Sequence, residues 1–282
     1  MNAPATPDAA STGPEAAAPA TREPAVVFRG LTKEFDGLVA VAGVDLVVPR
    51  GQICGYLGPN GAGKTTTVKM ATGMLRPTSG TALIEGFDIG ERPLEAKARI
   101  GVVPETGALY ENLTPREYLS LVGHLYHLDQ HEAETKASTF LELFGIADSA
   151  GRTMRSFSRG MKQKVLISAA LLHNPDVLFL DEPLSGLDAN TALVLKELLR
   201  ELASQGKTVF YCSHVLEVVE KVCDRIVILM NGEIIADGNV DELKNMTEAV
   251  SLEGVFSELT STGDLADIVR AFSESVTGSK GE

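Results

Sequence analysis

Cysteine, positive charge and long apolar runs are all scarce in this sequence, and each shortage excludes a class of protein. The three cysteines, Cys54, Cys212 and Cys223, are too few for a disulfide framework, and their spacing matches no metal motif. Two of them lie in apolar runs that read as strands, QICGYLG and TVFYCS, so all three are expected as reduced core residues of a cytosolic protein. Lys and Arg number 25 against 38 Asp and Glu, a formal net charge of −13. So acidic a body does not draw in phosphate backbones over long range, and nucleic acid is not expected as the main ligand, although one local phosphate site is compatible with it. The longest mainly apolar run, 165–172, has eight residues and includes Ser168, far short of the roughly 18 that a membrane span needs. No basic stretch followed by an apolar core opens the chain, so no signal peptide is expected and any membrane role must come through a partner.

What is present is enough apolar material, 44% of 282 residues, for one large domain or two small ones. Residues 1–24 are mostly Ala, Pro and Thr with no periodic apolar face, which predicts a disordered tail. From 25 the pattern predicts strands at 26–28 and 44–48 around a turn near Gly37, a third strand at 52–58, a helix over 64–75, and strands in TALIEG and ARIGVVPE. Between about 105 and 172 the period is helical. Thr114-Pro-Arg-Glu117 is a capping-box sequence that starts one helix, a second runs from about 132 to 144, and 161–172 reads as a buried helix. From Pro175 strands and helices alternate, which implies parallel strands covered by helices, and Asn231-Gly232 marks a final hairpin. The segment 248–282 reads as an acidic extension whose apolar cluster LEGVFSEL packs back on the domain.

Two motifs carry chemistry. Gly58-Pro59-Asn60-Gly61-Ala62-Gly63-Lys64-Thr65 fits G-x-x-x-x-G-K-[ST] at every fixed position, between an apolar strand and a helix. Glycines let successive backbone N–H groups curl around an anion, the helix start adds its dipole, Lys64 supplies a point charge to the outer phosphates, and the Thr65 hydroxyl is a Mg²⁺ ligand. The second motif is the apolar run Val177-Leu-Phe-Leu180 ending in Asp181-Glu182-Pro183. Acids at the carboxyl end of a buried parallel strand sit where such sheets bind ligands. Asp181 is expected to hold Mg²⁺ and Glu182 to polarise the attacking water.

With three further elements the chain resembles the ATP-binding subunits of ABC transporters over about residues 25–247. Ser156-Phe-Ser158-Arg-Gly160-Met-Lys-Gln163 looks like the family signature loop, Ser185-Gly-Leu-Asp188 like its D-loop, and Ser213-His214 occupies the switch-histidine position. The resemblance implies an α/β fold: a P-loop NTPase (RecA-like) core with an antiparallel β subdomain and an inserted α-helical subdomain at about 105–172. It implies ATP and Mg²⁺ as ligands. Lys64, Glu182 and His214 become the catalytic candidates. Thr65, Glu105 and Asp181 become the metal candidates. The nucleotide would be bound by Phe35 stacked on adenine, by the loop from Gly58 through Thr65 with Thr66, and by Glu105. Ser158, Gly160 and Asp188 would contribute at a head-to-tail interface with a second ATP-binding subunit, identical or not. The implied function is the ATP-hydrolysing motor of a transporter, an exporter by subfamily likeness, with a separate multi-span permease, at the cytoplasmic face of the membrane. The alternative is a soluble ATPase of the same family, of the cofactor-assembly type, acting without a permease.

Departures from the family pattern are Arg159 and Met161 in the signature and Glu105 where a Gln is usual; the extra carboxylate adds negative charge beside phosphate. The resemblance further implies that exposed apolar residues around Leu109, Tyr110 and Leu113 line the groove for a permease helix. His124, His127 and His131 read as a solvated helix face and His173 as a helix-end residue.

Overall fold

The computed structural model describes residues 23–106, 109–247 and 249–260. The expected tail lies outside these apart from Glu23 and Pro24, as does the expected extension beyond 260. The chain opens on two long antiparallel strands, β1 (Pro24–Phe35) and β2 (Leu38–Pro49), joined through Asp36 and Gly37, both at positive φ. Apolar alternation alone predicts only their inner segments. The pairing register shifts between Phe28 and Leu31, and such a bulge lets two strands run on past the break in alternation. β3 (Ile53–Leu57) is buried at every residue and leads into α1 (Lys64–Ala71), shorter than the expected 64–75. β4 (Ser79–Ile84) and β5 (Phe87–Asp88) complete an antiparallel sheet of order β2-β1-β4-β5. A single helical turn, α2 (Pro93–Lys97), precedes β6 (Ile100–Val103). It buries only Ala96, too little to write a period into the sequence.

Three helices follow before the next strand. α3 (Pro115–Leu125) starts on the predicted capping box, with Glu117 N donating to Thr114 Oγ1 and Thr114 N donating back to the Glu117 carboxylate at 2.8 Å. α4 (Gln130–Leu143) is capped by Asp129 and α5 (Arg159–Leu171) by Ser158. Strand and helix then alternate through β7 (Val177–Asp181), α6 (Ala189–Ser204), β8 (Thr208–Cys212), α7 (Leu216–Val222), β9 (Arg225–Met230), β10 (Glu233–Gly238) and α8 (Val240–Thr247). α9 (Leu252–Thr260) ends the described chain, with Leu252 and Val255 fully buried against α7 and α8, as the apolar cluster there predicts.

The second sheet has the order β10-β9-β3-β8-β7-β6 and is parallel except for β10. β3, β7 and β8 are buried throughout because both faces are covered. Alternate residues of these strands enter two apolar clusters. Leu57, Leu178 and Tyr211 face the helices, whereas Tyr56, Phe179 and Phe210 face the antiparallel sheet. Phe210 is the hub of the second cluster, with ring centroids 4.9 Å from Tyr56, 5.3 Å from Phe179 and 5.8 Å from Phe28. All three cysteines are buried and free. This is the P-loop NTPase fold with an antiparallel β subdomain, and α3–α5 form a helical insert between the parallel neighbours β6 and β7.

The insert is joined to the core through His173. Its ring stacks on Tyr126, 3.6 Å between centroids, and its Nε2 lies 3.0 Å from the carbonyl oxygen of Ile100. Facing a carbonyl, Nε2 must carry the proton, which leaves Nδ1 bare and buried without a partner. Burial pushes the His173 pKa down from 6.5, and Lys136 nearby pushes the same way. The unfolded chain therefore takes up a proton near pH 6.5 that the folded chain refuses until a lower pH. The stability this neutral histidine contributes is complete above pH 6.5 and is lost as pH falls through the folded value. The expected result is a melting temperature that declines below about pH 6.5, with a shallower slope in His173→Gln, whose amide still donates to Ile100. Equal slopes would contradict it.

Candidate functional site

The register of the parallel sheet gathers the chemistry. β8 lies between β3 and β7, with Tyr56 opposite Cys212 and Cys212 opposite Asp181, so these strands end together. The loop 58–65 leaves β3, Glu182 leaves β7, and Ser213-His214 leaves β8. All three therefore converge at the carboxyl edge of the sheet, where parallel folds place ligands.

The loop is held by its own backbone and by the antiparallel sheet. Gly63, the N-cap of α1, has φ 107, and a Cβ there would lie 2.4 Å from the Ala40 carbonyl oxygen. Only glycine lets β2 approach the loop so closely. Ala62 is buried, and its carbonyl accepts from Gly232 N at 3.0 Å. Lys64 Nζ donates to the carbonyl oxygens of Gly58 at 2.7 Å and Pro59 at 3.0 Å, so its ammonium is folded into the loop. Thr65 Oγ1 donates to Asp181 Oδ2 at 2.9 Å, joining the loop to β7 across the edge of the sheet.

Asp181 is 3% exposed. Burial pushes its pKa up, and Glu105 and Glu182 add to that, while the Thr65 hydroxyl and Lys64 pull it back. Glu182 has a φ of 50, an unfavourable value for a side chain with a Cβ, and its carboxylate is fully engaged. Oε1 accepts from the His214 backbone N at 2.8 Å and lies 2.6 Å from His214 Nδ1, and Oε2 accepts from Ser213 Oγ at 3.0 Å.

These groups line a cavity of about 330 Å³ together with Asn60, Gly61, Gly63, Thr66, Glu105 and Ala40. Its walls carry three carboxylates, Glu105, Asp181 and Glu182, against the one ammonium of Lys64. Of the expected site residues, Gly58, Pro59 and Ala62 serve as scaffold beneath this cavity. Phe35, Ser158, Gly160 and Asp188 do not line it. Phe35 ends β1, opposite Leu38, 42% exposed with Lys33 Nζ 5.0 Å from its ring centroid.

Ser158 and Asp188 are both helix N-caps on exposed ground: Ser158 Oγ accepts from Met161 N at 3.2 Å and Asp188 from Thr191 N at 2.9 Å. The two Thr191 bonds and the Lys164 ammonium hold the Asp188 carboxyl well below the usual range.

Residues 160, 163 and 164 form one face of α5 directed at the segment after Glu182. A Cβ on Gly160 would lie 2.3 Å from Gly186 O, Gln163 Nε2 donates to Pro183 O at 3.0 Å, and Lys164 Nζ is 3.2 Å from Asp188 Oδ2. Gln163, the last residue of the signature-like motif, is only 6% exposed; a polar residue in a helix buried on nearly every side signals such a partner, but the motif does not say which. Ala40 and the role of Ser213 carried no local signal at all. Gly160→Ala must push α5 off the Gly186 turn. The expected cost is about 1–3 kcal/mol of stability, read as a lower denaturation midpoint, and a midpoint equal to that of the unchanged chain would refute the close packing.

A family model described as "ABC transporter" matches residues 41–185. The ABC transporter ATP-binding protein NatA of Bacillus subtilis is 38% identical over 219 residues, 77% of this chain and 89% of the relative. The daunorubicin resistance ATP-binding protein DrrA3 of Streptomyces coeruleorubidus is 37% identical over 239 residues, 85% of this chain and 76% of that one. The linearmycin resistance ATP-binding protein LnrL of Bacillus subtilis is 39% identical over 213 residues, 76% and 68% of the two chains. A solved structure of an ATP-binding subunit of an ABC transporter superposes with a TM-score of 0.79 at 33% identity, covering 84% of this chain and 99% of that one.

Proposed function

The chain belongs to the ABC transporter ATP-binding family, and from that premise we propose how its residues do the work. It is an ATPase and the ATP-binding motor subunit of a transporter. The observation that carries the residue assignment is the joining of two sequence motifs, 116 positions apart, by the 2.9 Å hydrogen bond from Thr65 to Asp181 in a cavity that also holds Lys64, Glu182 and His214.

The loop N–H groups and the start of α1 cradle the phosphates of ATP. Lys64 leaves the carbonyls of Gly58 and Pro59 to meet the outer phosphates. Glu182 accepts the proton of the attacking water, and His214 positions that water and the γ-phosphate. Phe35 offers an exposed ring face on which adenine can stack.

Three carboxylates against one ammonium, with burial pushing the pKa of Asp181 up, fit a site that takes a cation with its nucleotide. Among the described residues no group of three or more His, Cys, Asp and Glu side chains forms a metal cage. A Mg²⁺ ion held by Thr65, Asp181 and Glu105 would therefore draw its remaining ligands from phosphate and water. Bound there, it would neutralise charge on the phosphates.

Ser158, Gly160 and Asp188 stand away from the cavity of their own chain. That separation supports a head-to-tail pair in which they cap the nucleotide of a second subunit. No helix among the described residues is long and apolar enough to cross a membrane, so movement of substrate is assigned to a separate multi-span permease, with this chain docked on its cytoplasmic face. Relatives named for daunorubicin and linearmycin resistance support export as the direction.

Pull-down of the tagged protein from detergent-solubilised membranes, with ATPase assayed on the eluate, tests the reading. A multi-span partner in an active eluate is expected. Active protein that brings down no membrane subunit would overturn the permease assignment.

A further inference from the structure

We propose that Ser213 is a positioning residue for hydrolysis: its hydroxyl holds one oxygen of the Glu182 carboxylate and thereby sets the direction of the other. The inference rests on the reading of Glu182 as the base that accepts the water proton. Ser213 lies immediately past the end of β8 and is 2% exposed. Its Oγ accepts from the Val215 backbone N at 3.1 Å and lies 3.0 Å from Glu182 Oε2. A hydroxyl has one proton. The amide of Val215 occupies an acceptor position, and a carboxylate can only accept, so the Ser213 proton points at Glu182.

The two oxygens of Glu182 are therefore held by unlike partners. Oε1 is met by the backbone and the ring of His214, whose side chain is 68% exposed on the wall of the cavity. An exposed imidazole can turn toward a phosphate. Ser213 is buried and cannot turn away without breaking the bond it accepts from Val215 N. When His214 turns to the nucleotide, Oε1 loses its ring contact and becomes the oxygen open to water, while Oε2 stays bound to Ser213. The arrangement also explains how Glu182 keeps an unfavourable φ of 50. Gln163 pins the carbonyl of Pro183 on one side, and Ser213 pins the carboxylate on the other.

The test is steady-state ATP hydrolysis and equilibrium ATP binding for the full chain carrying S213A, E182Q and both together. For S213A the expected result is a fall in kcat of about tenfold, the worth of one hydrogen bond to a charged group, with ATP affinity within about twofold. In the E182Q background S213A should cause no further loss, because a residue that acts through Glu182 has nothing left to position. S213C keeps the size of the side chain with a weaker donor, and should fall between the unchanged chain and S213A even if S213A folds poorly.

An unchanged kcat in both S213A and S213C would overturn the proposal. So would the same fractional loss in the E182Q background, or a loss confined to ATP affinity. Full turnover by E182Q alone would overturn the reading of Glu182 itself, and that outcome is distinct from a failure of Ser213.

Discussion

Glu182→Gln is expected to keep ATP binding and to lower turnover by about a hundredfold or more, the usual contribution of a positioned general base. The amide is nearly the shape of the carboxylate. Its carbonyl oxygen can still accept from the His214 backbone N or from Ser213 Oγ, the contacts at 2.8 and 3.0 Å. It cannot take a proton from water. Removing one of the three carboxylates also relieves repulsion against phosphate, so affinity should hold or rise. The informative quantity is the split: kcat falls, whereas the dissociation constant for ATP does not. With the head-to-tail pairing proposed above, the stalled variant should accumulate as an ATP-bound dimer, read as a doubled mass in size-exclusion chromatography with ATP. Normal hydrolysis by this variant would remove Glu182 from the mechanism.

Lys64→Ala should act on the other arm of the split. Lys64 is the one ammonium on a cavity wall that carries Glu105, Asp181 and Glu182. Without it an anionic ligand would meet three carboxylates and no ammonium on that wall. A charge-assisted contact to phosphate in a partly desolvated site contributes on the order of 2–3 kcal/mol, so ATP affinity should weaken by about thirtyfold to a hundredfold. Lys64→Arg should not restore it. The ammonium is a compact donor at the end of a flexible stem that can leave the carbonyls of Gly58 and Pro59 for phosphate, whereas a guanidinium is larger and planar and presents its donors in a fixed fork. Titration with a fluorescent ATP analogue measures both variants. Affinity within a few-fold of the unchanged chain for Lys64→Ala would show that the loop binds phosphate through its backbone alone.

The two expectations separate binding from chemistry, and the structure shows why they can be separated. Lys64 belongs to the loop and α1, whereas Glu182 belongs to the turn after β7. The segment after Glu182 is bolted to α5 through Gly186, Pro183 and Asp188. The helix capped by Ser158 and the turn carrying Glu182 therefore form one packed unit. A nucleotide pressed against the start of α5 by a second subunit would press on the catalytic turn of this one.

Much of this was legible in the residues because it is local. A phosphate loop needs glycine where φ is positive and a lysine at the helix start, so Gly63 and Lys64 announce themselves by type and spacing. The capping box at Thr114, the cap at Asp188 and the acids ending β7 are likewise written in consecutive residues. Shortness hid α2, which is one turn long, and α8, eight residues that bury only Leu243. The long course of β1 and β2 was hidden because a bulge interrupts their alternation.

The sequence by itself thus determined the chemistry: which side chains carry charge, which backbone positions must be glycine, and that a loop of the phosphate-binding pattern stands between a strand and a helix. Only the tertiary structure decided which of those groups meet. Strand order is not written locally, because it depends on which buried strands pack side by side after the chain has travelled through whole helices between them. It is the placing of β8 between β3 and β7 that brings Ser213 and His214 to Glu182, and Asp181 to Thr65. The close approaches of Gly63 to Ala40 and Gly160 to Gly186 were decided there too, since a glycine shows that space is needed and only the packed neighbour shows by what.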